Sequence, residues 1–362
     1  MQKVLQIIPT LGDGGAERFV VDLANELQRQ GSSVTLLVLY DYQATVLSSE
    51  VEVPIFSLGK APGLDLRCYI RLARHLLSHD YDVVHSHTRA LNYIPLLILI
   101  GVRSFFVHTM HNDAIKEEET LIYRIRKALL FKFRLVHPVT ISPQSLDSFK
   151  SYYNVNSTLI TNGTRIPQMP LQDGEADKII EHIRASGGQH IFLNVARFSP
   201  QKNQLMLFQA FEKLKNSNAH LIIAGRYENT DYYNSIAHHK PNNVHLIGSV
   251  SNIASYLKVS DGFVLGSLWE GMPISLLEAF AAGCVPICTP AGGIPSMLRP
   301  DLGFMLPSFE AEDLAQQILQ IIKIEITTIK ELQQNCRREF LEEYSIQTCA
   351  SRYLKMYLSK AS

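Results

Sequence analysis

The chain alternates between short apolar runs and longer stretches in which apolar residues recur every three or four positions. The apolar runs predict buried strands at residues 4–8, 34–39, 51–57, 83–85, 105–108, 139–141 and 158–160. The stretches between them predict helices at 16–30 and 64–77, from Leu91, at 121–134 and from Pro143. Strands separated by helices indicate βαβ units and a parallel sheet.

Turn-forming residues interrupt this alternation at 162–170, where Pro167 and Pro170 follow Asn162 and Gly163. We therefore place a domain boundary near Pro167. The alternation then resumes, with strands expected at 191–195, 221–224, 244–247, 262–265 and 285–287, a helix at 204–214, and mainly helix from Ala311.

Because the two halves follow the same pattern, the sequence predicts an α/β protein with two doubly wound, Rossmann-like domains facing across a cleft. Residues 1–167 would form the first domain and 168–345 the second. The last stretch, 346–362, is expected to be a helix that packs back towards the first domain. Domains of this kind bind ligands at the carboxyl ends of their strands.

The segment 267–287 carries two glutamates, Glu270 and Glu278, eight positions apart. A strand before it and helical spacing within it place Glu270 on a loop and Glu278 inside the following helix. Pro273 suits the first turn of that helix, and Gly283 is well placed to end it. Carboxylates bind pairs of sugar hydroxyls, and a helix N-terminus attracts phosphate, so this segment suits a nucleotide-sugar. On their own, the glutamates could also be surface residues, or an acid and a base as in glycoside hydrolysis.

Two cations, Arg197 and Lys202, lie five positions apart on the loop that follows the strand at 191–195. A guanidinium fork and an ammonium point charge together suit a diphosphate. The alternative is a pair of solvated surface cations. The combination of these cations with Glu270 and Glu278, on separate strand-to-helix loops of one domain, is a far more specific sign of a nucleotide-sugar site than either pair alone.

A glycine-rich loop, 12–18, follows the first strand and opens the first helix. Glycines let a backbone approach a ligand closely, and the helix N-terminus contributes positive potential. The loop lacks the third glycine of the dinucleotide pattern, so a plain tight turn is an equally good interpretation.

The composition is that of a globular protein, with 46% hydrophobic and 19% charged residues in a chain of 362. A formal net charge of zero gives no signal for nucleic acid. The five cysteines show no CxxC pair, and Cys284 and Cys288 are expected to be small core residues. Together with the lack of a signal peptide, this favours the cytoplasm. The longest apolar run, 94–102, is too short for a bilayer, which needs about 20 residues.

With these motifs and four further ones, the chain resembles the retaining GT-B glycosyltransferases of family 4 type, in particular those that assemble bacterial polysaccharides and glycans. The further motifs are His85-Ser-His87, His108-Thr-Met-His-Asn112, Asn162-Gly163 and Gly292-Gly-Ile-Pro295. The resemblance covers nearly the whole chain.

This resemblance implies a role for each residue of the second-domain motifs. Arg197 and Lys202 would hold the donor diphosphate, Glu278 the nucleotide ribose, and Glu270 the transferred sugar. Backbone N–H groups after Glu270 would also meet the donor. The candidates are Gly271, Met272 and Ile274, whereas Pro273 has no N–H to donate.

In the first domain, the resemblance implies that Gly14 and Gly15 face the acceptor and the donor phosphate. His111 would lie near the transferred sugar or the acceptor and joins Arg197, Lys202 and Glu270 as a candidate catalytic residue. Arg18 is a further candidate for acceptor binding. Asp13 is a candidate for tuning the acceptor.

One motif departs from the family pattern. Ala224-Gly-Arg-Tyr227 stands where many relatives carry Gly-x-Gly, which leaves the contacts of that loop open.

No metal or cofactor is expected. Asp80 and Asp82 form a DxD sequence, but it precedes a strand instead of following one, so capping or solvation is the better interpretation. His85 and His87 alternate at a strand end without an evident third ligand. The expected substrate is a nucleoside-diphosphate sugar, with a UDP-sugar favoured.

The segment 116–134 is acidic at its start and basic later. Such an order complements the helix dipole, but it also fits a helix lying on a membrane. Both interpretations stay open at this point. Its cations interleave with apolar residues, namely Arg124, Arg126, Lys127, Lys132 and Arg134 with Leu129, Leu130, Phe131 and Phe133.

The predicted reaction moves a hexosyl or N-acetylhexosaminyl group to a glycan or a polyprenyl-linked or other lipid acceptor, without metal and with retained anomeric configuration. The donor would bind mainly the second domain and the acceptor the first. A sugar-nucleotide epimerase or phosphorylase on the same fold, or a silent binding protein, are the alternatives. The expected location is the cytoplasm, with contact to the inner face of the plasma membrane as an open question.

Overall fold

The computed structural model describes residues 1–12, 14–41, 46–63, 65–117, 120–167, 174–227, 231–250 and 252–360. Asp13 and Leu64, the latter the expected first residue of a helix, lie outside this part. The chain divides into two compact units, Met1–Arg165 with Glu343–Ser362, and Ile166–Glu342.

The first unit contains a seven-stranded parallel sheet with the order β3-β2-β1-β4-β5-β6-β7. Its strands are β1 (Lys3–Ile8), β2 (Ser33–Val38), β3 (Ile55–Ser57), β4 (Val83–His87), β5 (Phe105–Met110), β6 (His137–Thr140) and β7 (Thr158–Leu159). Its helices are α1 (Gly15–Arg29), α2 (Val46–Ser49), α3 (Leu66–Ser78), α4 (Ile94–Leu99), α5 (Ala114–Glu117), α6 (Leu121–Lys132) and α7 (Pro143–Tyr153). A 3₁₀ segment covers Thr88–Tyr93.

Local sequence explains where these helices begin and end. Asp65 caps α3 by accepting the N–H groups of Arg67 and Cys68. Ser142 caps α7 in a reciprocal capping box with Ser145. The expected apolar face of α1 is confirmed as buried, through Phe19, Val20, Leu23 and Leu27.

The second unit contains a six-stranded parallel sheet with the order β10-β9-β8-β11-β12-β13. Its strands are β8 (His190–Val195), β9 (Ala219–Ala224), β10 (Val244–Gly248), β11 (Gly262–Leu265), β12 (Pro286–Cys288) and β13 (Phe304–Met305). Its helices are α8 (Gly174–Ala185), α9 (Gln204–Lys213), α10 (Asp231–Ile236), α11 (Ile253–Val259), α12 (Ile274–Ala282), α13 (Ile294–Met297), α14 (Ala311–Ile321) and α15 (Ile326–Glu339). Short 3₁₀ segments cover Pro200–Lys202 and Ala237–His239, and a π-helical turn, Phe340–Tyr344, follows α15.

The last helix, α16 (Ile346–Lys360), belongs with the first unit, where it packs on α1. The start of α16 also approaches the segment after β7, because a Cβ on Gly163 would lie 2.7 Å from both the Ser345 carbonyl oxygen and the Cys349 Cβ. The Ser351 hydroxyl also donates to the side-chain oxygen of Gln30, the residue that follows α1.

The expected fold class, two Rossmann-like parallel-sheet domains, is confirmed. In each sheet the strand order reverses at one place, between β1 and β4 in the first unit and between β8 and β11 in the second. Such a switch point leaves a crevice at the carboxyl ends of the two strands, where ligands bind in folds of this type.

Two expected elements differ from the prediction because of proline. The strand expected at 51–57 is confined to Ile55–Ser57, since Pro54 has no N–H, although its carbonyl oxygen accepts the Leu36 N–H. The helix expected from Leu91 begins as the 3₁₀ segment and becomes α-helical only at Ile94, next to Pro95.

Candidate functional site

The donor-binding residues predicted in the second domain lie around the switch point of the second unit, whereas Gly15 lies on α1 in the first unit. Arg197 and Lys202 follow β8, Glu270 follows β11, and these two strands are paired neighbours in the sheet. Glu278 lies on α12, which begins after the same loop as Glu270. Parallel strands therefore bring to one edge residues that are separated by about 70 positions in the sequence.

Lys202 and Glu270 form an ion pair, in which the Lys202 Nζ lies 2.5 Å from the Glu270 Oε1. The Glu270 side chain is only 6% exposed and the Lys202 side chain 16%. Ser267 donates its hydroxyl to the same Oε1 at 2.6 Å. Two donors thus hold one carboxylate oxygen in a place with little water, which fixes the orientation of the carboxylate.

Ser267 is held in turn by the loop that follows β12. Thr289 donates its hydroxyl to the Ser267 carbonyl oxygen at 2.6 Å, and both residues are fully buried. Sequence reasoning missed both hydroxyls. The position of Ser267, three residues before Glu270 on one loop, was the available signal for it.

The main chain of Glu270 is clamped by Gly292 and Gly293. Gly293 donates its N–H to the Glu270 carbonyl oxygen at 3.1 Å. A Cβ on Gly292 would lie 1.8 Å from that oxygen, and Gly292 has a φ of +57°. Glycine is therefore required at 292 both for space and for conformation.

Other candidate donor contacts surround this ion pair. Arg197 is exposed, its carbonyl oxygen accepts from Gln204, and its guanidinium makes no ion pair with the described residues. Within the described residues, the N–H groups of Gly271 and Ile274 meet no protein acceptor, as expected at a helix start that receives a ligand. Glu278 is half-buried.

The structure corrects the expected helix start. Pro273 is the residue before α12 rather than part of its first turn, with an extended ψ of 120°. Gly283 ends α12 with a φ of +69°, which confirms its predicted role. The nearby Met272 is buried.

The loop whose motif departs from the family pattern also needs its glycine. A Cβ on Gly225 would lie 2.1 Å from the Ala196 carbonyl oxygen, directly before Arg197. Gly225 therefore lets the chain after β9 approach the Arg197 loop closely.

In the first unit, the glycine-rich loop leads into α1, as predicted. Gly14 precedes the first helical residue, Gly15, without a side-chain cap. The Glu17 carboxylate lies over Gly14, where an added Cβ would be 2.2 Å from its Oε2. Arg18, a predicted acceptor ligand, is paired with Glu50. Acceptor binding by Arg18 stays a prediction.

The first unit contains a cluster of four buried histidines towards the ends of β4 and β5, all of them from the motifs noted in the sequence. They are His85, His87, His108 and His111. His87 Nδ1 lies 3.0 Å from His111 Nε2, and His87 Nε2 lies 2.7 Å from Gln6 Oε1. His85 contacts the Tyr357 hydroxyl of α16 at 2.7 Å. Both nitrogens of His85 and of His87 therefore have protein partners, with Thr109 bound to His85 Nε2.

Burial dominates the electrostatics of this histidine cluster. It lowers the pKa of His111 to about 4 and the pKa values of His85, His87 and His108 well below their ordinary range. Neighbouring histidines lower the pKa values of His85 and His87 further, and Lys127 does the same for His108. All four side chains are consequently neutral at pH 7.

The protein is expected to lose stability in mild acid because of this cluster. An unfolded histidine takes up a proton near pH 6.5, whereas folded His111 does so only near pH 4. The contribution of neutral His111 to the free energy of unfolding is therefore fully present above pH 6.5. It falls by about 3 kcal/mol as the pH drops to about 4. Urea unfolding at pH 7.5 and 5.0 should detect about 2 kcal/mol of this loss.

In that experiment His111→Gln should show a smaller difference between the two pH values. His182→Gln, at an exposed position, should keep the wild-type difference. An equal loss in wild type and His111→Gln would contradict the assignment.

Several secondary expectations are also resolved. Asp82 accepts the Lys3 N–H at 2.8 Å, so one carboxylate of the DxD sequence serves the backbone. Cys284 and Cys288 are buried, unpaired core residues, as predicted. In the described parts of the chain, every helix is too short or too polar to cross a lipid bilayer.

The helix within 116–134 is confirmed as α6, but its apolar residues point in two directions. Leu130 and Phe131 lie in the core, so they cannot belong to an exposed face as the interfacial interpretation required. Four others form an exposed stripe at helical spacing, Ile122, Ile125, Leu129 and Phe133.

Comparison with known families matches almost the whole chain. Residues 13–166 match the family Glycosyltransferase Family 4, and residues 175–339 match Glycosyl transferases group 1. The capsular polysaccharide biosynthesis glycosyltransferase CapH of Staphylococcus aureus is 26% identical over 99% of each chain.

Two further similarities concern a named reaction and a solved fold. The UDP-Gal:alpha-D-GlcNAc-diphosphoundecaprenol alpha-1,3-galactosyltransferase of Escherichia coli is 23% identical over 81% of this chain and 79% of its own. The structure of Anabaena HepE in complex with UDP-glucose superposes with a TM-score of 0.83, at 18% identity, over 99% of this chain and 100% of that one.

Proposed function

The chain belongs to the GT-B glycosyltransferases of family 4 type, and we propose that it transfers a hexosyl or N-acetylhexosaminyl group from a nucleoside-diphosphate sugar. The observation that carries this proposal is the Lys202–Glu270 pair at the switch point of the second unit. In this pair, a cation that suits a diphosphate lies beside a carboxylate that suits sugar hydroxyls. The two residues follow neighbouring strands of the sheet.

The donor would bind across these loops of the second unit. Lys202 and the exposed Arg197 would meet the diphosphate, with the N–H groups of Gly271 and Ile274 at the start of α12. Glu270, held by Ser267, would accept hydrogen bonds from the transferred sugar. The neutral His111 of the first unit is proposed to contact the sugar or the acceptor.

A UDP-sugar donor and a lipid-linked glycan acceptor are our proposals for the substrates. The galactosyltransferase relative is named for UDP-Gal and a diphosphoundecaprenol acceptor, and the similar Anabaena structure holds UDP-glucose. A relative in capsular polysaccharide biosynthesis supports the glycan part of the proposal.

The proposed chemistry needs charge stabilisation rather than a protein nucleophile. As the bond to the diphosphate breaks, Arg197 and Lys202 would stabilise the negative charge that develops on the leaving group. The acceptor hydroxyl would attack on the same face, and its proton would pass to the departing phosphate. Retained anomeric configuration and independence of metal follow from this proposal.

A transfer assay tests the proposed function. UDP-, GDP- and ADP-sugars are incubated with a polyprenyl-diphosphate-linked sugar, with and without excess EDTA, and the product anomer is assigned by NMR. We expect one donor class to be used, the anomer to be retained, and EDTA to have no effect. Epimerisation of the donor in the absence of acceptor would contradict the proposed transfer reaction. An inverted product would contradict retention, and loss of transfer in EDTA would contradict metal independence.

We further propose that α6 rests on an anionic membrane that carries the acceptor. The four apolar side chains of the exposed stripe lie next to one another on one face of α6, and Ile122 is 71% exposed and Phe133 65%. The exposed Lys132 and Arg134 lie at the end of the same helix, where they would meet lipid phosphates.

Replacing the stripe residues Ile122, Leu129 and Phe133 by glutamine should reduce binding to anionic vesicles at least tenfold, because each apolar side chain contributes about 1.5 kcal/mol or more when buried. Vesicle flotation with phosphatidylglycerol measures the change. A matched control replaces three exposed apolar side chains of the second unit, Leu319, Ile326 and Leu341. Equal flotation of both triple variants would refute the proposal.

A further inference from the structure

Four tyrosines of the first unit lie on the carboxyl side of its sheet. They are Tyr40 after β2, Tyr69 in the first turn of α3, Tyr93 at the end of the 3₁₀ segment after β4, and Tyr123 in the first turn of α6. Burial raises the pKa of Tyr93, and the nearby Cys68, Tyr69 and Tyr40 raise it further. Burial also raises the pKa of Tyr69, with a contribution from Tyr123. The four rings are therefore neighbours, at the edge of the sheet where folds of this type bind ligands.

Tyr69 and Tyr93 form an aromatic pair, which we call the tyrosine platform. Their ring centroids lie 4.7 Å apart, and the two ring planes meet at 32°. Tyr93 packs on the hydrophobic core of the unit, and both residues are half-buried. Among the described residues, neither hydroxyl has a hydrogen-bond partner. The platform is thus a partly open aromatic surface, supported by the core, whose polar groups are available to a ligand.

Lys60 fixes the loop beside this platform. Its Nζ donates to the carbonyl oxygens of Ala61 and Gly63, at 2.7 Å each, and lies 4.7 Å from the centre of the Tyr40 ring. Lys60 is only 8% exposed. A buried ammonium group that binds main-chain oxygens and an aromatic face holds both in place and adds positive charge to this region.

Arg126 of α6 presents a guanidinium group to the same region. Its Nη2 donates to the Asn92 carbonyl oxygen at 2.9 Å, and its guanidinium carbon lies 5.7 Å from the centre of the Tyr123 ring. Arg126 and Lys60 both lower the pKa of Tyr69, against the larger effect of burial, so both charges act at the platform. Arg126 is exposed and forms no ion pair with the described part of the chain. Most of its five N–H donors therefore remain for a ligand.

We propose that a sugar ring of the acceptor stacks on the tyrosine platform and accepts hydrogen bonds from Arg126. The inference rests on the proposed function, since it takes the acceptor to be a glycan. A sugar has an apolar C–H face, which suits an aromatic ring, and a rim of hydroxyls, which suits tyrosine hydroxyls and a guanidinium. A hydrocarbon chain in this place would leave those polar groups without partners.

The position of the platform agrees with an acceptor that is linked to a lipid. Tyr123 and Arg126 directly follow Ile122 and Ile125, two members of the exposed stripe on α6. The lipid part of the acceptor would meet the stripe, and its sugar would meet the platform. One helix thus contributes to both contacts.

Saturation-transfer NMR tests the platform without any transfer reaction. The aromatic protons of the protein are saturated in the presence of the methyl glycosides of glucose, galactose, N-acetylglucosamine and N-acetylgalactosamine. We expect a signal from at least one sugar, which persists in saturating UDP and is lost in Tyr69→Leu. No signal from any of the sugars, displacement by UDP, or an unchanged signal in Tyr69→Leu would each overturn the inference.

Acceptor kinetics test the same contacts in the reaction. The polyprenyl-diphosphate-linked acceptor is supplied in detergent, so that binding to a membrane does not enter. Tyr69→Leu should raise the KM of the acceptor about tenfold and Arg126→Gln about fivefold or more, with the KM of the donor unchanged. Tyr69→Phe keeps the ring and should stay within about threefold of wild type.

Two matched variants control for the loss of an aromatic ring and of a charge. Tyr152, on α7, is another half-buried tyrosine, and its ring lies 4.2 Å from the Arg124 guanidinium. Arg103 is exposed and precedes β5, at the opposite edge of the sheet. Neither Tyr152→Leu nor Arg103→Gln should change the KM of the acceptor. Because Arg126 is exposed, Arg126→Gln tests the inference even if Tyr69→Leu does not fold.

The outcomes separate this inference from the proposed function. If wild type transfers sugar while Tyr69→Leu and Arg126→Gln keep the wild-type KM for the acceptor, the inference fails and the function stands. If the sugar signal is seen and is lost in Tyr69→Leu, but wild type transfers no sugar, the proposed function fails and the platform stands as a sugar-binding site.

Discussion

Replacing Lys202 by methionine is expected to lower sugar transfer by about a hundredfold or more, the usual effect of losing one preorganised charge at a developing anion. The Lys202 Nζ is within 2.5 Å of Glu270, so it already lies beside the carboxylate proposed to bind the transferred sugar. Steady-state transfer with the preferred nucleotide-sugar measures the loss. Near-normal turnover would count decisively against the donor site.

A second variant separates the chemical role of Lys202 from its structural one. Lys202→Met leaves the buried Glu270 without its cation, which should cost about 3 kcal/mol of unfolding free energy. Adding Glu270→Gln removes that buried charge and should restore most of the stability, while transfer stays low. Recovery of transfer in the double variant would show that Lys202 only neutralises Glu270.

The control for this series is Lys215→Met. Lys215 pairs with Glu212 at 2.7 Å, but both side chains are more than half exposed. Such a pair contributes little, so neither stability nor transfer should change measurably.

Gly292→Ala is expected to destabilise the second unit by about 3 kcal/mol or more and to abolish most transfer. The added Cβ would lie 1.8 Å from the Glu270 carbonyl oxygen, so the loop that presents Glu270 has to move. Urea unfolding and the transfer assay report the two effects separately.

Gly187→Ala is the matched control for Gly292→Ala, because Gly187 has a φ of +93° and no atom near an added Cβ. It should cost only the backbone strain, about 1 kcal/mol, and leave transfer intact. If the two variants lose the same stability, the close approach of Gly292 to Glu270 has no energetic importance.

Much of this fold could be predicted from local patterns, because the short apolar runs correspond to strands, most of them buried and the edge strands β3 and β7 partly exposed. The donor-site loops could be placed as well, since Arg197, Lys202 and Glu270 directly follow such runs and parallel strands present their carboxyl ends together. The helix end at Gly283 followed from glycine conformation alone.

What could not be predicted depends on contacts between distant segments. The Gln6–His87 bond joins residues 81 positions apart, and only the order of strands in the sheet makes β1 and β4 neighbours. Likewise, nothing local shows that Thr289 supports Ser267. The exposed and buried faces of α6 also depend on how it packs, because apolar residues occur on both.

The central claim is that the second unit binds a nucleotide-sugar through Arg197, Lys202, Glu270 and Glu278. The most direct measurement is calorimetric titration of UDP-, GDP- and ADP-sugars into wild type and Glu278→Ala. We predict that one nucleotide class binds wild type at a single site and binds Glu278→Ala at least tenfold more weakly, since the proposed ribose contact is lost. Equal affinity in both proteins, or no binding of any nucleotide-sugar to wild type, would contradict the claim.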